Sequence, residues 1–261
     1  MTIFLHELRS SRLSLIIWSA AISFMLGVCV FIYPEMSGQM SEIGDMFSEM
    51  GAFSSAFGMD QLNFGEFIGY FGIECGNVLG IGGVLFAAIT GVSMLAKEEK
   101  EHTAEFLLTH PVTRTRAVTE KLIAALAQVV ILNIAVIAVT AISIALVDVE
   151  VDAGKLALIF LAYFIMQLEI LCITFGISAF IRRGGLGIGL GLAIVTYFVN
   201  IIANLTEDLE FLKYITPFGY TDSADIVSSG ELNLGYLAVG VVFLTAGIVA
   251  AYVQYNKKDI L

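Results

Sequence analysis

Met94 to Lys121 read MLAKEEKEHTAEFLLTHPVTRTRAVTEK, the longest polar run of the chain that also carries positive charge. Acids, bases, two histidines and a proline share this short length. An apolar segment long enough to cross a bilayer lies on either side of it. The run therefore predicts a water-exposed loop between two membrane spans.

The composition is that of a membrane protein. Of the 261 residues, 58% are hydrophobic and only 14% are charged, and the mean hydropathy is +0.89. Soluble domains average about 45–50% apolar and about 25% charged residues. Each long apolar run meets the roughly 20 helical residues that cross a bilayer, and none resembles the short alternating strands of a barrel. The predicted fold is all-α, a single membrane domain over 1–261, with six spans at 13–33, 70–95, 119–147, 155–181, 185–204 and 232–254.

The charges are sorted by side, and this sorting sets the predicted topology. With the N-terminus inside, all basic residues except Lys155 and Lys213 fall in cytoplasmic segments. The positive-inside rule then places both termini in the cytoplasm of a multi-pass cell-membrane protein. Most acids fall in the outer segments 34–69, 148–152 and 205–231. The net charge of −11 gives no indication of a nucleic-acid partner, because the basic residues act as topological signals.

Amphipathic helices are predicted on both sides of the first span. Apolar side chains share one face of 1–12, which predicts a short helix in the inner interface; a frayed start with snorkelling arginines is the alternative. Tyr33-Pro34 is typical of a span that ends at the outer surface. The apolar stripe that follows predicts an outer helix, which either packs on the bundle or gates a substrate path. The candidate gate residues are Met40, Phe47 and Met50.

Two acids fall inside predicted spans, Glu74 in the second and Glu169 in the fourth. A charge at membrane depth costs at least about 2.5–3.5 kcal/mol, so such residues usually face an interior or a cavity. A polar substrate path and a protonated, hydrogen-bonded Glu169 are both open interpretations, and Glu74 fits the outer interface. The candidate path residues are Glu169, Gln167, Gln128 and Asn133.

Glycines at a spacing of four predict close helix contacts in the second span. Gly72, Gly76 and Gly80 share one face there. Faces of small residues let helices approach closely in lipid. In the outer segment before the last span, Thr206 is the candidate N-cap of one short helix, and Thr221 and Asp222 are the candidates for a second.

The sequence contains no motif for catalysis, nucleotide binding or metal binding. It has no G-x-x-x-x-G-K-[ST], no H-E-x-x-H and no G-x-S-x-G. The three histidines lack the neighbours that a metal site needs, and the three cysteines, one in each of three spans, predict no disulfide. The chain is therefore not expected to be an enzyme or to hold a metal.

The polar loop itself carries a helical pattern. Four residues at i, i+3, i+4 and i+7 predict a short helix with one partly apolar face: Thr103, Phe106, Leu107 and His110. Charged residues precede this helix and Pro111 ends it. Such a helix is suited to docking in the groove of a partner. A helix that folds back on the membrane surface is the alternative that the pattern leaves open.

The same run resembles the first cytoplasmic loop of ABC-2-type permeases. That family commonly shows a charged run, then G-T-x-E-x-L-L-x-x-P-[IV]-S-R, then G-K entering the next span. His102 and Glu120 stand where glycine is usual, which leaves the subfamily open, and the P-F-x-Y run at Pro217–Tyr220 is also similar. The matching positions are Thr103, Glu105, Leu107, Leu108, Pro111, Val112 and Arg114, with Thr113 in place of serine.

The resemblance implies a transport subunit without catalytic activity. In that family two permeases pair in the membrane, and each sits on a separate ATP-binding protein that binds ATP and Mg²⁺. The loop at 96–118 is similar to the coupling helix, which docks on the ATPase and transmits its closure. The implied partners are that ATPase, a second permease copy or a related permease, and the lipid bilayer. The coupling role falls on Lys97, Glu98, Glu101, Thr103, Glu105, Phe106, Leu107, His110, Pro111 and Arg114.

Most members of that family are exporters, so an ATP-driven exporter is the first functional prediction. Acidic outer segments and the Met/Phe stripe favour an amphipathic substrate such as a peptide, a drug or a lipid-like molecule. One alternative is an ion- or proton-coupled secondary carrier that uses Glu169, although no repeat between the two halves of the chain is evident. Another is a membrane anchor or sensor. A requirement for ATP separates the exporter from both.

Overall fold

The computed structural model describes residues 2–56, 62–63, 65–97, 113–181 and 185–257. Within these ranges all regular structure is helical and no strand occurs. Six of the helical segments are long and apolar enough to cross a membrane, so the predicted all-α fold with six spans is confirmed. The candidate spans are Ile3–Met36, Phe67–Met94, Arg114–Val147, Ala153–Ser178, Leu186–Leu205 and Leu234–Lys257.

The α-helices of the described residues are, in chain order, α1 (Thr2–Glu49), α2 (Ala52–Ala56), α3 (Phe67–Cys75), α4 (Ile81–Met94), α5 (Arg114–Val147), α6 (Ala153–Ser178), α7 (Leu186–Leu205), α8 (Ser223–Ser229) and α9 (Leu234–Lys257). A π-helical turn at Gly76–Gly80 joins α3 to α4 within the second span, and a 3-10 helix at Glu207–Tyr214 follows α7. An even number of spans puts both chain ends on one side of the bundle. We name this side the terminal end and the opposite side the far end.

The first helix runs without interruption from Thr2 to Glu49 and contains Pro34. The helix therefore does not end at Pro34 as the sequence predicted, although the candidate span ends close to it, at Met36. Residues 2–12 are the first turns of the same helix. Proline removes a helical hydrogen bond, but neighbouring helices can satisfy the freed backbone groups inside a membrane. Here the hydroxyl of Tyr70 donates to the carbonyl of Cys29, little more than one turn before Pro34, at 3.2 Å. This contact joins the second span to the turn just before the proline, one residue ahead of the Val30 carbonyl that the proline leaves without its helical donor.

Helices α6 and α9 pack with their backbones in contact. A Cβ atom on Gly176 would lie 2.5 Å from the carbonyl oxygen of Gly247. The glycine face of the second span receives a side chain, since a Cβ on Gly76 would lie 2.9 Å from the hydroxyl of Tyr163. Small residues permit such approaches in lipid. They bring the second and the sixth span against the fourth, and the second and fourth spans, which are the most buried, form the core of the bundle.

The third span begins earlier than its apolar run does. Thr113 caps α5, because its side-chain oxygen accepts from the backbone N–H of Arg116 at 3.3 Å. A threonine cap satisfies an N–H group that the first turn leaves unpaired. The helix therefore starts at Arg114, within the stretch 96–118 that was predicted as a loop.

Short helices cover the far end, as the caps predict. The side chain of Asp222 accepts from the backbone N–H of Ala224 at 3.0 Å and so begins α8. Gly230, with φ of 70°, ends that helix in the left-handed region that suits glycine. Thr206 stands at the N-cap position of the 3-10 helix, but its side chain makes no capping hydrogen bond.

Candidate functional site

The middle of the predicted coupling loop, residues 98–112, lies outside the described residues. Of the ten residues with a predicted coupling role, only Lys97 and Arg114 are described. The coupling roles of the residues between them stay predictions: Glu98, Glu101, Thr103, Glu105, Phe106, Leu107, His110 and Pro111.

The two flanks of the loop are bound to opposite ends of the chain. Nζ of Lys97 donates to the hydroxyl of Ser10, in the first turns of α1, at 2.6 Å. The guanidinium of Arg114 donates to the carbonyls of Tyr255 and Asn256, in the last turn of α9, at 3.4 Å each. The loop therefore emerges between the first and the last helix of the bundle.

A buried ion pair joins the first helix to the two helices that flank the loop. Nζ of Lys121, in the third turn of α5, lies 2.7 Å from Oε1 of Glu7 and donates to the carbonyl oxygen of Met94 at 2.8 Å. The side chain of Lys121 is completely buried and that of Glu7 is 7% exposed. Buried charges persist only when they are paired and hydrogen-bonded. We name Glu7, Lys121 and the Met94 carbonyl the Lys121 clamp, because together they join α1, α4 and α5.

The neighbouring acid supports the same junction. Oε2 of Glu120 accepts from the backbone N–H groups of Ile3 and Phe4, at 3.1 and 3.3 Å. The first N–H groups of a helix have no partner inside it and carry partial positive charge, so a carboxylate stabilises them. Oε1 of Glu120 also lies 2.9 Å from Nε of Arg116. Glu120 occupies the position where glycine is usual in the motif, and here it caps α1 from another helix.

Two of the predicted path residues meet in the interior. Asn133 on α5 donates to Oε1 of Gln167 on α6 at 2.7 Å, and both side chains are buried. Gly83 on α4 leaves room for the amide of Gln167, which a Cβ there would overlap. Gln128 is buried but bonds only within its own helix, to the carbonyl of Ala124. The structure therefore joins three spans through the Asn133–Gln167 pair and leaves Gln128 outside it.

The carboxylate of Glu169 does not contact that pair and is shielded from solvent. It is 2% exposed, and its Oε2 accepts from the hydroxyl of Tyr220 at 2.7 Å. A Cβ on Gly240 of α9 would lie 2.5 Å from the same oxygen, so the backbone of the last span closes over the carboxylate. Burial, and secondly the charge of Glu169, raise the pKa of Tyr220 above its ordinary value, which keeps the hydroxyl a donor. Glu169 is therefore buried and hydrogen-bonded, and its role in a substrate path stays a prediction.

The predicted outer gate is only partly described. The side chains of Met40 and Phe47 lie outside the described part, although both residues belong to α1. Met50 follows the end of α1 and is 50% exposed. Glu74, on the second span, accepts from the thiol of Cys29 at 3.6 Å. The gating role of the three apolar residues stays a prediction.

A family model described as ABC-2 family transporter protein matches residues 1–260. The chain belongs to the ABC-2 transporter family. It is therefore a multi-pass membrane permease of an ABC transporter, a transport component that is not itself catalytic and that works with an ABC ATP-binding partner. No curated protein matches the chain.

The far end of the permease holds a polar cleft of about 70 Å³. It lies between the second span, α7 and the segment that links α7 to α9. One face of α7 contributes Tyr197, Asn200 and Asn204, spaced at i, i+3 and i+7. The other polar lining residues are Asn77, Tyr163, Thr221, Asp222 and Ser223.

Tyr197, Asn200 and Asn204 were not among the predicted site residues. Their signal was present in the sequence, because polar residues recurring on one face of an otherwise apolar helix mark a face turned away from lipid. The contribution of the linking segment carried no such signal. Its side chains reach the cleft only through the tertiary fold.

The carboxylate of Asp222 is the charged group of the cleft. Burial raises its pKa above the ordinary value, and the nearby charge of Asp225 acts in the same direction. Lys213 opposes this shift, but its Nζ lies 3.9 Å from Oδ2 of Asp222. No three acid, cysteine or histidine side chains among the described residues of the permease converge as metal ligands.

Proposed function

We propose that this permease forms the substrate path of an ATP-driven exporter and that the loop between its second and third spans couples it to a separate ATP-binding subunit. ATP and Mg²⁺ are bound on that partner. Two permeases, identical or related, pair in the membrane. The substrate is an amphipathic peptide, a drug or a lipid-like molecule.

One observation carries the coupling part of this proposal, the Lys121 clamp between the helices that flank the loop. Met94 is the last residue of the helix that leads into the loop. Lys121 lies in the third turn of the helix that follows the loop, whose N-cap is Thr113. Glu7 adds the N-terminal helix to the same point. A displacement of the loop therefore reaches α1, α4 and α5 together. This is the arrangement that a docking loop needs in order to move several spans at once.

Co-purification tests the partner. The chain is tagged at its C-terminus, extracted gently from its native host, and the proteins that accompany it are identified. We expect an ABC ATP-binding protein, and we expect Phe106→Ala and Leu107→Ala to loosen it or to uncouple its ATPase activity. Leu146→Ala is the matched control, because Leu146 is 71% exposed on the third span, away from the loop. If no ATPase co-purifies, or if loop and control variants behave alike, the coupling proposal fails.

A second experiment tests the clamp as a coupling element and not only as a stabilising one. The double variant Glu7→Met/Lys121→Met replaces the ion pair by apolar side chains, a change that is often neutral for stability. We expect it to fold and to bind the ATPase, but to lose substrate stimulation of ATP hydrolysis. If substrate still stimulated ATP hydrolysis fully in the double variant, the clamp would have no part in coupling.

A further inference from the structure

Two asparagines that line the far-end cleft each have a side-chain oxygen without a hydrogen-bond partner. Oδ1 of Asn200 and Oδ1 of Asn204 are both shielded from solvent, and nothing in the described part of the chain donates to either. Buried acceptors in native proteins are nearly always paired. Two such acceptors on residues that line one cleft favour a ligand that brings N–H donors, toward which each amide turns its oxygen.

The charge of the cleft has the complementary sign. Asp222 lines it, and no lysine or arginine is among its described lining residues. Oδ1 of Asp222 accepts from the backbone of Ala224, whereas Oδ2 lies 3.9 Å from Nζ of Lys213, beyond hydrogen-bond distance. The backbone N–H of Asp225 also donates to this carboxylate, and the charge of Lys213 approaches Oδ2 only at that longer distance. A cation with several N–H groups would pair with this oxygen and with the two amide oxygens.

An apolar space borders the cleft. A cavity of about 30 Å³ lies between α4 and α7, and it shares Tyr197 and Phe218 with the polar cleft. These two rings meet edge to face, with centroids 5.5 Å apart. Aromatic faces attract cations, and the aliphatic walls beyond them suit an alkyl chain. The remaining walls are Ile81, Val84, Leu85, Ala193 and Ile194.

The size of the cleft fits a small headgroup. One water needs about 10–15 Å³ by the same measure. A cleft of about 70 Å³ therefore holds several waters, or an ammonium group and the first carbons that carry it.

We propose that the far-end cleft of this permease binds the primary ammonium group of an amphipathic amine, with part of its alkyl chain against the apolar space between α4 and α7. Asp222 pairs with the charge, and Asn200 and Asn204 accept N–H donors. The role of such an amine as transported substrate rests on the proposed function. Binding itself requires only the permease.

Calorimetric titration of the full chain in lipid nanodiscs, without an ATPase, tests the proposal. The probes are decylammonium, decanol and decanoate, which share one chain and differ in the headgroup, and the signal from empty nanodiscs is subtracted. We expect saturable binding of decylammonium only. Equal binding of the three probes, or no saturable binding of decylammonium, would overturn the proposal.

Two near-isosteric variants move the charge of the cleft in opposite directions. Asp222→Asn keeps a good N-cap and removes the charge, and we expect roughly tenfold weaker binding. Asn204→Asp adds a charge, and we expect roughly tenfold tighter binding. The matched control is Asn256→Asp, the same change on an exposed residue at the terminal end, and it should leave affinity unchanged.

The direction of these two changes decides the result. Thermal unfolding without probe establishes that each variant is folded, and Asn204→Asp suffices if Asp222→Asn is not. Equal affinities in the variants and the native chain, or changes in the same direction, would overturn the proposal. Because no ATPase is present, a failure here leaves the coupling proposal intact, and a failure of the loop experiments leaves this one intact.

Discussion

The two ends of the bundle treat buried polar groups in opposite ways. At the terminal end, Lys121, Glu7 and the Met94 carbonyl satisfy one another. At the far end, Asn200 and Asn204 keep their side-chain oxygens unpaired beside an open cleft. Both ends belong to one apolar bundle, so the difference lies in how the polar groups are placed and not in the kind of fold.

The contrast indicates what each end is suited to do. A closed buried network resists displacement, because breaking any contact leaves a charge without a partner. Elements joined by such a network move together. An open set of acceptors gains partners only when something binds. The terminal end is therefore suited to hold helices together, and the far end is suited to bind a ligand. The following changes test this difference.

The largest effect is expected at the Lys121 clamp. Lys121→Met leaves the carboxylate of Glu7 buried and unpaired, which should lower the free energy of unfolding by about 3–5 kcal/mol. Reversible unfolding in mixed micelles, followed by circular dichroism, measures the change. Lys97→Met is the control and should cost less than about 1 kcal/mol, because the contact of Lys97 with Ser10 is exposed. If Lys121→Met and Lys97→Met lowered the free energy of unfolding equally, the buried clamp would contribute no more to stability than the exposed contact of Lys97.

An intermediate effect is expected between the two ends, at Glu169. Tyr220→Phe removes the donor to its buried carboxyl group and should cost about 1–3 kcal/mol in the same unfolding assay. Glu169→Gln retains an acceptor for Tyr220 and should cost less. ATP-dependent transport should survive Glu169→Gln. Its loss in a variant of unchanged stability would favour the proton-coupled carrier.

The far-end cleft should respond to pH. The raised pKa of Asp222 means that it takes up a proton at a higher pH than an ordinary aspartate. Because only the ionised form attracts a cation, decylammonium affinity should fall as the pH is lowered through that pKa. Asp225 on α8, Lys213 on the 3-10 helix and Tyr163 on α6 are the other charged or titratable groups that act on Asp222. Titration calorimetry over a pH series should show a flatter profile for Asp222→Asn, and an unchanged profile would exclude Asp222 from the site.

The smallest effect is expected at the surface of the terminal end. Arg116→Ala removes an exposed i,i+4 ion pair with Glu120, which should cost no more than about 0.5 kcal/mol. Glu120 keeps its contacts with the backbone of α1 in this variant. A loss comparable to that of Lys121→Met would mean that the exposed pair, and not the buried one, holds the terminal end together.

The fold was predictable because its main determinant is local. Each apolar run is long enough to identify a span without reference to any other part of the chain. The cap at Asp222 was equally readable, since a capping side chain acts on the N–H groups that follow it directly. The predicted helix end at Pro34 was wrong because the effect of this proline is not local. Its effect depends on neighbouring helices that can support the weakened turn, and a local pattern does not contain them.

The sites were harder to predict because they join distant residues. Glu7 and Lys121 are 114 positions apart, so the polar face of α1 and the lysine of the motif gave no sign that they pair. Asn133 and Gln167 could be named as polar residues at membrane depth, but their meeting depends on the packing that Gly83 permits. The π-helical turn in the second span likewise follows from packing and has no sequence pattern of its own.

The continuity of α1 has a mechanical consequence. A helix of 48 residues is roughly 70 Å long at about 1.5 Å per residue, more than twice the thickness of the hydrocarbon core. It therefore extends beyond the membrane, and a tilt of the helix displaces both of its ends. A straight rod of that length, tilted by roughly 10° about its midpoint, moves each tip by roughly 6 Å. A small rotation imposed at Glu7 would thus be delivered to the opposite surface as a displacement the size of a side chain.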